Sequence, residues 1–208
     1  MKLLGIYIDD KLKFDKHINY ICNKANKKIN ALYIIRNFVS EKQALLLGNA
    51  YVLSNFNYCP IVWMFCNKSL HNTIDRVHKR CLRAITRKYD CSLPELLSGM
   101  NLTSIHTKHI HSLLTEVFKS LNRINPDFIN ELFKIKTVPY QLRKSKLLVL
   151  PSVKSTTYGT NSVLFQACLQ WNNLPIEGRN CTTVGSFKRF LIKSKFNLVC
   201  TCRLCKFI

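Results

Sequence analysis

Two adjacent carboxylates near the start of the chain have the clearest potential for metal chemistry. Asp9 and Asp10 close the tetrapeptide Tyr7-Ile8-Asp9-Asp10, after a short apolar stretch. Carboxylates at a strand end can hold two divalent ions for phosphoryl transfer if a further carboxylate comes from another strand. The remaining aspartates all fall on or beside predicted basic helices: Asp15, Asp75, Asp90 and Asp127. We therefore expect Asp9 and Asp10 to cap a turn or the following helix, and we predict no catalytic residues.

A cysteine cluster near the C-terminus could bind zinc. Cys200, Cys202 and Cys205 form a C-x-C-x-x-C pattern, and structural zinc sites take four ligands, commonly thiolates. The fourth ligand would come from elsewhere, from Cys91, Cys181 or a histidine. The alternative is a loose tail without metal, so structural zinc stays open. We predict no other cofactor for this chain.

Four arginines have the spacing of a single helix face. Arg76, Arg80, Arg83 and Arg87 stand at i, i+4, i+7 and i+11 of a predicted helix over 69–87. They would extend over about 16 Å at the rise of an α-helix, a length comparable with a few backbone phosphates. The planar guanidinium group can bind a phosphate through two hydrogen bonds, which positions a duplex without reading its sequence. The alternative is a solvated basic face.

A second basic patch is predicted on the first helix, where Lys16, Lys24, Lys27 and Lys28 occupy the faces away from the apolar stripe. Lys and Arg total 32 against 11 Asp and Glu, a net charge of +21. Such a charge favours a polyanionic partner, with nucleic acid first and an anionic membrane surface second. A lysine-rich protein with no such partner is the third interpretation. The sequence does not predict an oligomeric state.

The ten cysteines could indicate a secreted disulfide protein, but the N-terminal apolar stretch is too short for a signal peptide. No apolar run approaches the roughly 20 residues of a membrane span, so we expect no membrane partner. We expect an intracellular, reducing location, nuclear or cytoplasmic. The cysteines in apolar surroundings are expected in the core: Cys22, Cys59, Cys66, Cys81 and Cys168.

Several aromatic and histidine side chains could also take part in binding. Tyr58, Trp63 and Phe65 could stack on bases, but their apolar surroundings favour the core, as they do for Trp171. Three histidines fall on one predicted long helix, where a basic surface is favoured over a metal site: His106, His109 and His111.

The elements that must position these residues are mostly helices. Apolar residues recur every three or four places from Phe14 to Ile35, and again from Leu70 to Ile85, which predicts two amphipathic helices. Ser40 with Gln43 forms a capping-box pattern at the start of another helix, ending near Asn57. Ser92 and a following proline predict one more helix start.

Five phrases, in order along nearly the whole chain, carry a resemblance: "LLGIYIDDKLKFDKHI", "SNFNYCPIVWMF", "HKRCLRAI", "QWNNLP" and "SFKRFL". In the same order, they resemble five patterns. The first is L-G-hydrophobic-x-hydrophobic-D followed by F-x-x-H-I, and the others are S-x-F-x-Y-C-x-x-x-W, R-x-L-R-x-I, W-N-x-L-P and an F-K segment. These segments are typical of the C-terminal part of reverse transcriptases from non-LTR (LINE-type, jockey/CR1-like) retrotransposons. The ending "CTCRLC" is similar to that of some members.

The resemblance implies that the chain starts at the crossing from palm to thumb, so that Tyr7-Ile8-Asp9-Asp10 lies after the catalytic box. It implies a fragment of an RNA-directed DNA polymerase that binds template–primer, an RNA–DNA hybrid or duplex, through its backbone. The fragment would lack the catalytic palm and its Mg²⁺, and we do not expect it to polymerise alone. The alternative is an exapted basic nucleic-acid-binding or interaction module with no polymerase role, with or without structural zinc.

The predicted fold is mainly α, with a helical thumb-like bundle, a second helical region, a short N-terminal strand and little sheet. Residues 1–10 are predicted as a remnant strand at the palm–thumb junction. The rest is divided into a thumb-like helical domain over 11–92, a helical continuation over 93–133, a linker or extended segment over 134–157, C-terminal helices over 158–196 and a cysteine-rich tail over 197–208.

Overall fold

A computed structural model describes residues 1–136 and 146–194, and this part of the chain is mainly helical, as predicted. The described chain also contains a two-stranded antiparallel sheet, β1 (Lys2–Leu3) and β2 (Ile6–Tyr7). The α-helices are α1 (Asp15–Ile35), α2 (Glu41–Leu47), α3 (Pro60–Trp63), α4 (Lys68–Thr86), α5 (Leu93–Gly99), α6 (Ile105–Leu121), α7 (Asp127–Asn130), α8 (Val163–Asn172), α9 (Ile176–Arg179) and α10 (Val184–Lys193). None of the helices in the described ranges is both long and apolar enough to cross a bilayer.

The chain divides into two compact units, residues 1–106 and 107–208. The first, called unit 1, contains β1 to α5 and the first two residues of α6. The second, called unit 2, contains the rest. The predicted helical continuation over 93–133 therefore spans both units, and α5 contributes Leu96 to the core of unit 1.

The N-terminal segment forms a β-hairpin, whereas the sequence predicted a single strand. Leu3 pairs with Ile6 and Lys2 with Tyr7, so the turn consists of Leu4 and Gly5. Both turn residues have positive φ, 44° and 88°, as the tightest hairpin loops require. An apolar run of six residues predicts a strand but does not show that its middle is a turn.

Helix α1 buries the predicted apolar stripe. Ile18, Ala25 and Ile29 are completely buried, and Leu32 is nearly so. This stripe packs chiefly against α4, whose buried residues also follow the predicted pattern: Leu70, Ile74, Val77, Cys81, Leu82 and Ile85. The two helices thus form the centre of unit 1.

Helix α2 begins with the predicted capping box, in which the Ser40 hydroxyl accepts from the Gln43 N–H and the Gln43 side chain accepts from the Ser40 N–H. After Leu47 the chain continues as a π-helical turn over Gly48–Val52 and a 3-10 turn over Leu53–Phe56. Gly48 lies against α4, because an added Cβ would come within 2.8 Å of Ile85 Cδ1. A residue with a side chain here would force the end of the Ile85 side chain to move.

Unit 2 has its own aromatic core. The rings of Phe118 and Phe187 stack at 4.6 Å between centroids, and Trp171 lies 5.8 Å from Phe187. Trp171 donates its indole N–H to the Lys146 carbonyl at 2.7 Å, which confirms that this side chain packs inside. The described part of the predicted linker forms one antiparallel bridge, between Ile135 and Leu148.

Three expectations about burial are wrong. His109 is buried, although a surface helix was expected, because it shares a face with Ile105 and other buried residues of α6. Tyr58 and Cys59 are exposed because they lie in the loop before α3. In this part of the chain the buried aromatic side chain is that of Trp63, at the end of α3. The expected burial of Trp63, Cys22, Cys66, Cys81 and Cys168 is confirmed.

Candidate nucleic-acid interface

The Asp9 carboxylate is used to build the loop before α1. Its Oδ1 accepts from the N–H groups of Lys11 and Lys13 at 3.1 and 2.9 Å, and its Oδ2 accepts from Phe14 N–H at 2.7 Å. The bond from Lys13, helped by those from Phe14 and Lys11, lowers the pKa of Asp9. These contacts confirm the predicted turn-capping role. They let Phe14 take its left-handed conformation and start the helix.

Four lysines project from the outer side of α1. Lys16, Lys24 and Lys27 are exposed, whereas Lys28 is half-buried and donates to Asn55 Oδ1 at 3.1 Å. From Lys16 to Lys28 the helix rises about 18 Å. We call Lys16, Lys24, Lys27 and Lys28 the α1 lysine face. The predicted patch on the first helix is therefore present as one surface.

The four arginines of the predicted stripe do not form one free surface. Arg76, Arg80 and Arg83 lie within α4, but Arg87 follows its last residue, in a left-handed conformation with φ of 59°. Arg76 is exposed and bonds to its own helix, through Asn72 O and Thr73 Oγ1. The other three guanidinium groups reach other elements.

Each of these three guanidinium groups connects two parts of unit 1. Arg80 donates to the side-chain oxygens of Asn26 and Asn30 on α1, at 2.9 and 2.8 Å. Arg83 donates to the Cys91 carbonyl at 3.0 Å, before α5.

Arg87 makes the same kind of link near the end of α1. It donates to the Arg36 carbonyl at 3.1 Å and to Asn37 Oδ1 at 3.4 Å. Arg80, Arg83 and Arg87 thus brace the helices, and we call them the bracing arginines.

The two basic groups meet on α1. At 100° per residue, Asn26 and Asn30, which hold Arg80, lie on one flank of Lys27, and Lys24 and Lys28 lie on the other. Arg80, itself exposed, therefore extends the α1 lysine face sideways toward α4. The result is a band of positive charge about one helix wide.

The positive charge of this band is not neutralised by ion pairs within the described ranges. In the described part of the chain, none of the four lysines or four arginines contacts a carboxylate. Burial lowers the pKa of Lys28, and the positive charge of Lys24 lowers it further. Lysines one turn apart repel each other unless an anion lies between or beside them. The arrangement is suited to binding an anionic partner.

The predicted zinc ligands Cys200, Cys202 and Cys205 lie outside the described residues. Within the described ranges, no group of three or more His, Cys, Asp or Glu side chains is placed to hold a metal ion. Cys91 and Cys181, considered as fourth ligands, are half-buried free thiols that fall in different units. Structural zinc therefore stays a prediction.

Sequence reasoning missed residues that border the lysine face. Lys2 places its ammonium group 5.3 Å from the Tyr7 ring centroid and 6.0 Å from that of Tyr20. Tyr20 falls on the same side of α1 as Lys24, and this could have been found from the spacing of three and four. Tyr58 was considered for stacking but assigned to the core, and its exposed position depends on a contact with Leu4, 54 residues away.

Comparisons of the chain with protein-family models, with characterised proteins and with solved structures gave no match.

Proposed function

We propose that unit 1 binds the sugar–phosphate backbone of a nucleic acid, as a thumb does in the non-LTR reverse transcriptases that the sequence resembles. The ligand is an RNA–DNA hybrid or another duplex. The α1 lysine face and Arg76 supply the charges, and the bracing arginines hold the helices that present them. In a retrotransposon polymerase this surface would grip template and primer. No residue is assigned to catalysis.

One observation carries this proposal. Seven cationic side chains lie on two packed helices and an eighth, Arg87, directly follows α4; none of them contacts a carboxylate in the described part of the chain. Lysine and arginine release counterions when they neutralise phosphates, so such a surface gains binding free energy from a polyanion. Contacts of this type position a duplex without selecting its sequence.

The direct test compares two triple variants of the full chain by fluorescence anisotropy with a labelled RNA–DNA hybrid. The face variant is Lys16→Gln, Lys24→Gln and Lys27→Gln. The control removes the same charge from exposed lysines elsewhere in unit 1: Lys11→Gln, Lys42→Gln and Lys88→Gln. We expect the face variant to bind about 30-fold more weakly at low salt, and the control to lose less than about threefold.

Equal losses in the two variants would show that net charge alone attracts the hybrid, and the proposed surface would be wrong. No measurable binding of the unmodified chain at low salt would exclude the function itself. A hybrid and a duplex DNA of the same sequence should bind with similar affinity, because only the phosphates are contacted.

A further inference from the structure

A cavity of about 440 Å³ opens beside the α1 lysine face. Its walls come from the N-terminal hairpin, one side of α1, and the 3-10 turn over Leu53–Phe56 with the loop that follows it. The residues that matter for its chemistry are Lys2, Tyr20, Lys24, Lys28, Asn55 and Tyr58. Ligand pockets commonly measure about 300–1,000 Å³, so a molecule of the size of a nucleotide fits the space.

The charge of this cavity distinguishes it from three other cavities of the described chain. Three amines line it, and its lining includes no carboxylate. A neighbouring cavity that is also lined by Lys2 has Asp9 in its lining. Of two cavities in unit 2, the first is lined by Glu116 and the second by Asp127 and Glu131. Three like charges around an empty space repel one another, and a bound anion would relieve that repulsion.

The walls are fixed by hydrogen bonds. Tyr58 donates its hydroxyl to the Leu4 carbonyl at 2.7 Å, which ties the hairpin turn to the loop before α3. Asn55 donates its amide to the carbonyls of Tyr51 and Val52, and this directs its oxygen to the Lys28 ammonium at 3.1 Å. A cavity whose walls are already held loses little entropy when it is occupied.

The cavity also offers flat aromatic surface. Tyr20 and Tyr58 are 42% and 52% exposed, and the edge-on contact of Tyr20 with Tyr7, at 5.3 Å between centroids, leaves part of its ring accessible. The Tyr58 hydroxyl is engaged with Leu4, so its ring has a fixed orientation. Aromatic rings beside a cationic groove stack on nucleobases without regard to their identity. Phosphate and base could thus be recognised together.

We propose that this cavity binds one nucleoside phosphate, with the phosphate against Lys24 and Lys28 and the base against Tyr20 or Tyr58. The nucleotide is either free or part of a single strand. The single-stranded source rests on the proposed function, whereas binding of a free nucleotide does not. Lys2 closes the cavity from the hairpin and adds a third positive charge.

The first experiment measures binding of adenosine 5′-monophosphate, adenosine and inorganic phosphate to the full chain by titration calorimetry. The monophosphate should bind at least about tenfold more tightly than either part, because it makes both the ionic and the stacking contacts. Absence of monophosphate binding at millimolar concentration overturns the proposal. So does equal binding of adenosine, which would show that the lysines are not used.

Variants assign the two contacts. Lys24→Gln with Lys28→Gln should weaken monophosphate binding about tenfold or more, and Lys11→Gln with Lys42→Gln should change it less than about twofold. Tyr20→Ala with Tyr58→Ala, which removes both rings, should weaken the monophosphate about fivefold or more and leave inorganic phosphate unchanged. Circular dichroism confirms that each variant is folded. An equal loss in the lysine control, or unchanged binding in both cavity variants, contradicts the site.

Competition then identifies the source of the nucleotide. A single-stranded ten-nucleotide RNA that displaces the monophosphate supports a nucleotide within a strand, and failure to displace it supports a free nucleotide. The blunt hybrid separates this proposal from the function above. Hybrid binding without monophosphate binding would contradict the proposed nucleotide site alone. Monophosphate binding without hybrid binding would contradict the proposed backbone-binding surface alone.

Discussion

The α1 lysine face and the bracing arginines are both basic groups on neighbouring helices, yet the structure uses them differently. Lys16, Lys24 and Lys27 extend into solvent. Arg80 and Arg83 instead donate to oxygens on other elements. The guanidinium group carries five donors in a rigid fork and can join two segments, while an ammonium group on a flexible stem rarely does. Most of the arginines therefore brace and most of the lysines face solvent, although Lys28 also joins α1 to Asn55 and Arg76 bonds only within α4.

The largest expected effect is on stability. Replacing Arg80 and Arg83 together by Ala should lower the free energy of unfolding of unit 1 by about 2–3 kcal/mol, because three hydrogen bonds between elements are lost. Urea unfolding followed by Trp63 fluorescence in a Trp171→Phe background reports on unit 1, since the chain has two tryptophans. A loss below about 0.5 kcal/mol would show that these arginines do not brace the fold.

Asp9, like the bracing arginines, uses its charged side chain to hold other residues in place through hydrogen bonds. Asp9→Asn should cost about 1 kcal/mol at pH 6, because the charged acceptor of three N–H groups is lost. The pKa of Asp9 is lowered in the folded state, so its contribution is present above the unfolded value. The contribution disappears as the pH falls through the folded pKa.

Urea unfolding at several pH values checks this prediction. The difference between the original chain and the Asp9→Asn variant should be constant at neutral pH and shrink below about pH 4. A difference that stays unchanged down to pH 2 would mean that the carboxylate charge does not hold the loop.

The lysine-face variant should leave stability nearly unaltered. The three lysines are exposed and contact no carboxylate in the described part of the chain, so their replacement by Gln should change the free energy of unfolding by less than about 0.5 kcal/mol. The same urea experiment measures it. A loss as large as that of the arginine variant would erase the distinction between the two groups.

The smallest effect is expected for Arg76, which belongs to neither group. It is exposed and bonds to its own helix, so Arg76→Ala should change stability by less than about 0.5 kcal/mol. It should weaken hybrid binding about threefold, as expected for one phosphate contact near the edge of the surface. Anisotropy measures the affinity, and an unchanged value would place Arg76 outside the interface.

Much of the fold could be predicted from the sequence because the helices are strongly amphipathic. The stripes of α1 and α4 and the capping residues Ser40 and Ser92 identified their helices directly. The hairpin turn was missed because Leu4 with Gly5 is not a strong turn sequence. The π-helical turn at Gly48 was missed because it follows from a close approach to α4.

The candidate site could be predicted in part. The cationic side chains and their helices were found from charge and spacing alone. The separation of the arginines from the lysines was not, because the partners of Arg80 lie 50 and 54 residues away in the sequence. Tyr58 was assigned to the core because its sequence neighbours are apolar, whereas its contact with Leu4, which exists only in the folded chain, keeps it at the surface.

The central claim is that the α1 lysine face binds phosphates, and its most direct test is the salt dependence of hybrid affinity. The logarithm of the association constant should fall linearly with the logarithm of salt concentration for the original chain. The variant with Lys16, Lys24 and Lys27 changed to Gln should give a slope shallower by about 2–3, close to the number of contacts removed. An unchanged slope in that variant would contradict the account.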